Sequence, residues 1–108
     1  MIERRQLEHI EKKIARIKAA LEAIGPMRPG SLTEQFKDRE NEKGAFWQIS
    51  YTRQMHSRTE YIRQEWVKTT QQQIKEYKKF KRLIETWVAL AIEHAKLTMK
   101  MENSKLKK

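Results

Sequence analysis

Cysteine is absent from this chain of 108 residues, and glycine and proline are scarce, with three and two residues respectively. The lack of cysteine excludes disulfide bonds and thiolate metal sites. Because 35% of the residues are charged and only 38% are hydrophobic, the composition favours long helices with solvent-exposed faces over a compact β-sandwich. The length predicts one domain, which we place at residues 1–102, followed by a basic tail at residues 103–108.

Long apolar runs and targeting segments are absent as well. No stretch stays apolar for the length that a bilayer requires, and the first residues do not have the pattern of a signal or transit peptide. We therefore expect a cytoplasmic protein with no membrane partner.

No motif for catalysis or metal binding is found. The histidines are far apart in the sequence and have no partners at metal-ligand spacing: His9, His56 and His94. No Ser-His-Asp set, glycine-rich phosphate loop or convergent pair of carboxylates can be assembled. We expect no catalytic residue, no metal and no cofactor, and thus a protein that is not an enzyme.

The clearest pattern that is present lies near the N-terminus, where apolar residues recur at alternating steps of three and four: Leu7, Ile10, Ile14, Ile17, Leu21 and Ile24. This is the period of a coiled-coil seam. It predicts a helix over residues 2–24 that Gly25 ends and Pro26 prevents from resuming. Because the helix is apolar on one side only, it needs a long partner helix.

The segment 31–44 allows two interpretations. Ser31 and Glu34 have the spacing of a capping box, which predicts a short helix. The alternation of residues 32–36 equally predicts an edge strand. Six charges within residues 37–44 predict an exposed loop at the end of this segment.

A β-hairpin is predicted next. The sequence FWQISYT alternates, with Trp47, Ile49 and Tyr51 on one face. The expected strand, polar turn and return strand lie at residues 46–52, 53–57 and 58–62. An isolated two-stranded hairpin is marginally stable, so this sheet region, residues 31–63, must pack against a helix or contain a third strand.

A second helix is predicted over residues 64–101, where neither glycine nor proline occurs. Its main apolar stripe is expected to face the first helix and the hairpin: Trp66, Thr70, Gln73, Ile74, Tyr77, Phe80, Ile84, Trp87, Val88, Ala91 and Ala95. A second stripe, about 100° around the helix, consists of Leu83, Leu90, Leu97 and Met101. We predict a homo-oligomer that forms through this second stripe, unless the first helix and the sheet cover both stripes.

Together these elements predict an α+β fold that is mostly α. It consists of a long helix, a small antiparallel hairpin or three-stranded sheet, and a long C-terminal helix that returns along the first helix as an antiparallel helical stalk.

Positive charge is the main indication of function. The net charge is +10, and residues 66–108 contain 11 Lys and Arg against 4 Asp and Glu, which favours a polyanionic partner. Cations share one face of the second helix and flank the hairpin turn, so the candidate nucleic-acid-binding residues are Lys68, Lys75, Lys78, Lys79, Arg82, Arg53 and Arg58. Aromatic residues among them, such as Tyr61, belong to the core or stack on bases. The alternative interpretation is that this charged helix face is only solvated and binds no partner.

The central block, GPMRPGSLTEQF and GAFWQISYTRQMHSRTEYI followed by a charged helix ending in KRLIE, resembles an uncharacterised family of small prokaryotic proteins. The resemblance covers about residues 24–85 and includes a Gly-Ser-Leu turn, an aromatic strand ending in Ser-Tyr-Thr, a return strand and a long basic helix. The family's cysteine cluster corresponds to KDRENEK at residues 37–43, so the resemblance implies no metal site here. The family's occurrence beside mobile-element genes implies a role linked to nucleic acid.

We therefore predict a non-enzymatic, nucleic-acid-binding accessory protein that is linked to a mobile element and prefers DNA to RNA. The alternative is an oligomeric coiled-coil interaction module, scaffold or inhibitor that does not bind nucleic acid and whose charge serves only solubility.

Overall fold

The computed structural model describes residues 2–106 and confirms the α+β fold class. In chain order the elements are α1 (Ile2–Glu22), β1 (Ser31–Asp38), β2 (Lys43–Arg53), β3 (His56–Ile62), a 3₁₀ turn (Gln64–Trp66) and α2 (Val67–Leu106). Within the stretch that we predicted as one domain, the chain forms two compact units. We call residues 2–24 with 80–106 the helical unit, and residues 25–79 the sheet unit.

The helical unit pairs α1 with the C-terminal part of α2. Ile10 and Ile17 of α1 and Leu90 of α2 are its buried residues, and further apolar side chains pack around them: Ile14, Leu21, Leu83, Trp87 and Leu97. The helices are antiparallel, since His94 pairs with Glu11 and Trp87 lies near Lys18. The predicted seam of α1 is thus an internal contact of the chain.

The face of α2 that contacts α1 differs from the predicted one. We expected α1 to pack on the stripe that includes Val88, Ala91 and Ala95, but these side chains are exposed. The leucines of the second stripe pack there instead, because a leucine buries much more apolar area than an alanine. Leu83, Leu90 and Leu97 therefore pack against α1 of the same chain. Met101 is half-buried.

The sheet unit contains a three-stranded antiparallel sheet in the order β1-β2-β3. Of the two interpretations of residues 31–44, the strand is correct and the short helix is wrong. This strand, β1, is the third strand that the hairpin was expected to need. The loop is shorter than predicted, at residues 39–42, because the strands continue to Asp38 and resume at Lys43. Asn41 donates to the Asp38 carboxylate from its side chain and its backbone, and these bonds lower the pKa of Asp38.

The core of the sheet unit lies between β2 and the first turns of α2. Ile49 is fully buried, and Ile62, Val67 and Ile74 surround it. Trp47, Ile49 and Tyr51 share the inner face of β2, as predicted, and all three are buried or half-buried. The prediction for Trp66 was wrong: it is 57% exposed, because it lies in the 3₁₀ turn and Val67 takes the inward position.

The observed helices end at different residues from the predicted ones: α1 ends earlier and α2 ends later. Helix α1 ends at Glu22 rather than Ile24, and the chain there forms bonds from Ala23 to Ala20 and from Ile24 to Leu21. Helix α2 continues to Leu106, so the predicted basic tail, residues 103–108, is helical up to that point. Residues 107–108 lie outside the described part. Neither described helix combines the length and the apolarity needed to cross a membrane.

Candidate nucleic-acid interface

In the sheet unit, α2 presents a row of lysines on the side that points away from the sheet. Val67, Thr70 and Ile74 are buried against the sheet. At about 100° per residue, Lys68, Lys75 and Lys79 fall within one sector about 40° wide on the far side of the helix, and Lys78 lies about 80° from its centre, on the flank towards Ile74. All four lysines are exposed, and we call Lys68, Lys75, Lys78 and Lys79 the cationic face.

The charge of the cationic face is not compensated by carboxylates. Within residues 2–106, none of its four ammonium groups forms an ion pair. Glu76 supplies the one carboxylate in residues 67–79, and its oxygens accept hydrogen bonds from Gly25 N at 2.9 Å and Gln72 Nε2 at 3.2 Å. The lysines are therefore available to an external anion.

The spacing of the lysines suits an extended polyanion. With a rise of about 1.5 Å per residue, Lys68 and Lys75 are about 10 Å apart along the helix, and Lys79 follows about 6 Å further on. Duplex DNA carries one phosphate charge per about 1.7 Å of its axis, so several phosphates lie within reach of such a row. Contacts of this kind hold and orient a nucleic acid but do not read its sequence.

The hairpin arginines lie on strands rather than in a loop. Arg53 pairs with His56, and Arg58 pairs with Tyr51, which places both arginines on the same face of the sheet. The turn is shorter than the predicted residues 53–57: Gln54 and Met55 form it, and His56 belongs to β3. Residues 52–61 are exposed throughout.

Arg82 belongs to the other unit. It is exposed, and its carbonyl oxygen accepts a hydrogen bond from Thr86 Oγ1 at 2.9 Å. Arg82 is therefore a residue of the helical unit and lies outside the cationic face.

The aromatic residues divide between core and surface. Trp47 and Tyr51 face inward, and the Tyr51 ring lies 5.8 Å from the Arg28 guanidinium. Tyr61 points to the opposite face of the sheet and is 65% exposed. Of the aromatics considered for base stacking, Tyr61 is thus the most accessible in the sheet unit.

A basic groove in the helical unit was missed by the sequence analysis. It lies between α1 and α2, has a volume of about 350 Å³, and is lined by Gln6, His9, Ile10, Lys13, Glu93, Lys96, Leu97 and Lys100. Its lysines come from helices that are distant in sequence, so no spacing within either helix indicates that they meet. Only the antiparallel pairing of α1 and α2 reveals the groove.

No metal centre is visible in the part of the chain that the structure describes, where no three His, Asp or Glu side chains lie close enough to hold an ion. His94 Nε2 lies 3.5 Å from Glu11 Oε1, and His56 lies in the exposed hairpin. His9 and His94 belong to the helical unit, and His56 belongs to the sheet unit.

Comparisons with protein-family models, with curated protein sequences and with solved structures find no match to this chain.

Proposed function

We propose that this protein is a non-enzymatic nucleic-acid-binding accessory protein that grips phosphates with the cationic face. The observation that carries the proposal is a row of exposed lysines without carboxylate partners, fixed on a helix that packs firmly against the sheet. Because the helix backbone is already ordered, binding has to order only the lysine side chains. The hairpin arginines add positive charge to the same unit.

DNA is the preferred partner in this proposal for a geometric reason. The major groove of B-form DNA is about 12 Å wide and admits a helix, whereas the major groove of A-form RNA is too narrow for side chains to read. The part of α2 that belongs to the sheet unit, residues 67–79, has cations along one side and suits the B-form groove better. The resemblance to a family whose genes occur beside mobile-element genes supports a role in binding the DNA of mobile elements.

The test is a binding titration by fluorescence anisotropy with a short labelled duplex at increasing salt. If the four lysines of the cationic face each neutralise one phosphate, log K should fall against log salt with a slope of about −4. No binding at low salt, or binding that is indifferent to salt, would rule the proposal out. A single strand and an RNA duplex of the same sequence test the preference for DNA.

Self-association through α2 is the second candidate function, and one observation favours it. Val88 is 53% exposed, Ile92 51% and Met99 65%, and with Ala95 they form an apolar stripe on the helical unit. This stripe replaces the leucines that were predicted to contact another copy.

Light scattering separates the two functions. If self-association uses this stripe, Val88→Glu/Ile92→Glu should halve the mass of a dimer, while the control Ala19→Glu/Ala89→Glu, at exposed positions outside the stripe, should leave it unchanged. A monomeric wild-type protein would eliminate the second candidate. Unchanged DNA affinity of the stripe variant would show that phosphate binding does not need the assembly.

A further inference from the structure

The tip of the β2–β3 hairpin has a backbone conformation that its residues disfavour. Arg53 pairs with His56, so the turn consists of Gln54 and Met55 alone, with φ angles of 51° and 67°. A two-residue turn with positive φ at both positions is a type I′ turn, for which Asn-Gly or Gly-Gly is the usual sequence. For Gln and Met this conformation is strained, because the Cβ atom approaches the following carbonyl oxygen.

The side chain at the apex of this turn is also unfavourable for a solvated loop. Met55 is 97% exposed and buries almost none of its apolar surface in the fold. The strain opposes stability at this position, and the exposed Met55 side chain contributes no burial that offsets it. Such a combination, supported by the surrounding structure, is typical of a site that contacts something else.

The arm that presents Met55 is well defined. Thr52 Oγ1 and Ser57 Oγ are 3.2 Å apart, and Ser50 Oγ and Thr59 Oγ1 are 3.3 Å apart, so two hydroxyl pairs link the strands across the hairpin. The arm extends past Ile49, the last fully buried residue of β2. Its tip is therefore held by a regular ladder on an exposed ribbon.

The charges next to the tip suit nucleic acid. Arg53 directly precedes the turn and Arg58 lies on the same face, two positions beyond His56 along β3. No carboxylate occurs between Tyr51 and Thr59. A single methionine offers too little apolar area to hold the protein on a lipid surface, whereas one apolar side chain is enough to unstack one base step.

We propose that the hairpin arm enters the minor groove of duplex DNA, where Met55 wedges between two stacked base pairs and Arg53 and Arg58 contact the flanking backbone. The inference rests on the proposed nucleic-acid binding and adds a second mode of contact, insertion between base pairs, to the phosphate contacts of the cationic face. Wedges of this kind kink DNA by about 20–90°. Pyrimidine–purine steps such as TA unstack most easily, so the protein should bend DNA and prefer sites that contain them.

The experiment uses the full chain and a duplex of about 30 base pairs with a central TA step and a dye at each end. Resonance energy transfer reports bending, and 2-aminopurine beside the step reports unstacking. Wild-type protein should increase both signals. Met55→Ala should remove both and weaken binding about tenfold, equivalent to 1.4 kcal/mol, whereas Met55→Leu should keep them.

Two further variants separate the wedge from folding. Gln54→Asn/Met55→Gly should raise the thermal unfolding midpoint, because Asn-Gly suits the type I′ turn, and should nevertheless abolish bending. Met27→Ala removes another exposed methionine, 41% exposed and outside both the hairpin and the apolar stripe, and should bend DNA as the wild type does.

The outcomes distinguish this inference from the function on which it rests. Salt-dependent binding without bending, bending that Met55→Ala leaves unchanged, or binding to single strands alone would overturn the wedge and leave nucleic-acid binding in place. Absence of salt-dependent binding to any nucleic acid would overturn both.

Discussion

Arg53 and His56 are paired across the last rung of the β2–β3 ladder. The pairing leaves Gln54 and Met55 as the complete turn and places the Arg53 backbone on a strand instead of in a mobile loop. A side chain that starts from a fixed backbone loses less freedom when it binds a phosphate. The hairpin thus belongs to a preformed surface of the sheet unit.

Gly30 should be intolerant of any side chain. Its φ is +138°, and a Cβ there would lie 2.7 Å from Cγ1 of Ile49, the fully buried centre of the sheet unit. Gly30→Ala should lower the free energy of unfolding by about 2 kcal/mol or more, through backbone strain and overpacking. Urea denaturation followed by circular dichroism measures the change.

Gly25→Ala is the matched control for that substitution. A Cβ at Gly25 meets nothing within 4 Å, and the hydrogen bond from Gly25 N to Glu76 does not involve a side chain at residue 25. Its effect on the free energy of unfolding should be small. Equal losses for the two alanine variants would contradict the packing of Gly30 on Ile49.

Leu90 should be a stability residue of the helical unit. It is 9% exposed and packs with Ile10 and Ile17. Leu90→Ala should cost about 2–4 kcal/mol of the free energy of unfolding, through lost burial and the cavity that remains. Val88→Ala, two positions away and at a half-exposed site, should cost less than about 0.5 kcal/mol. The reverse order in thermal or urea denaturation would show that α1 packs on the other stripe.

Arg28 should stabilise the sheet unit through several contacts at once. Its Nη2 donates to Glu60 Oε2 at 2.7 Å, its backbone N donates to Gln73 O at 3.2 Å, and its guanidinium lies over Tyr51. Because the Glu60 side chain is half-exposed, solvent screens the ion pair. Arg28→Ala should lower the free energy of unfolding by about 1 kcal/mol, and Arg28→Lys should restore only part of it because a lysine lacks the planar guanidinium.

Most of the fold was predictable because the local patterns are consistent with it. The spacing of Ile10, Ile14 and Ile17 predicts α1, and the alternation around Ile49 predicts β2 and its inner face. The strand at residues 31–38 was one of two open alternatives, because its alternation is short and Ser31 also suits a helix cap. Its pairing with β2, as in Leu32 opposite Ile49, is a long-range contact that local propensity does not encode.

The candidate site was predictable only in part. The lysines of the cationic face follow from helical periodicity, and the structure shows that they are exposed. The predicted side of α2 that contacts α1 was wrong. The helix has two apolar stripes, and only tertiary packing determines which of them contacts α1. The Gln54–Met55 turn was not predicted because Gln-Met is not a recognised turn sequence. The groove beside Lys13 and Lys96 was not predicted because its residues come from two helices and show no spacing within either one.

The most direct test of phosphate binding by the cationic face compares the salt dependence of DNA binding in three proteins by fluorescence anisotropy. Lys68→Gln/Lys75→Gln/Lys79→Gln should reduce the slope of log K against log salt by about 2 to 3, since each phosphate contact contributes about 0.9. The equally charged control Lys12→Gln/Lys37→Gln/Lys43→Gln, at exposed positions outside the cationic face, should keep the wild-type slope. Equal slopes for the two triple variants would contradict phosphate binding by the cationic face.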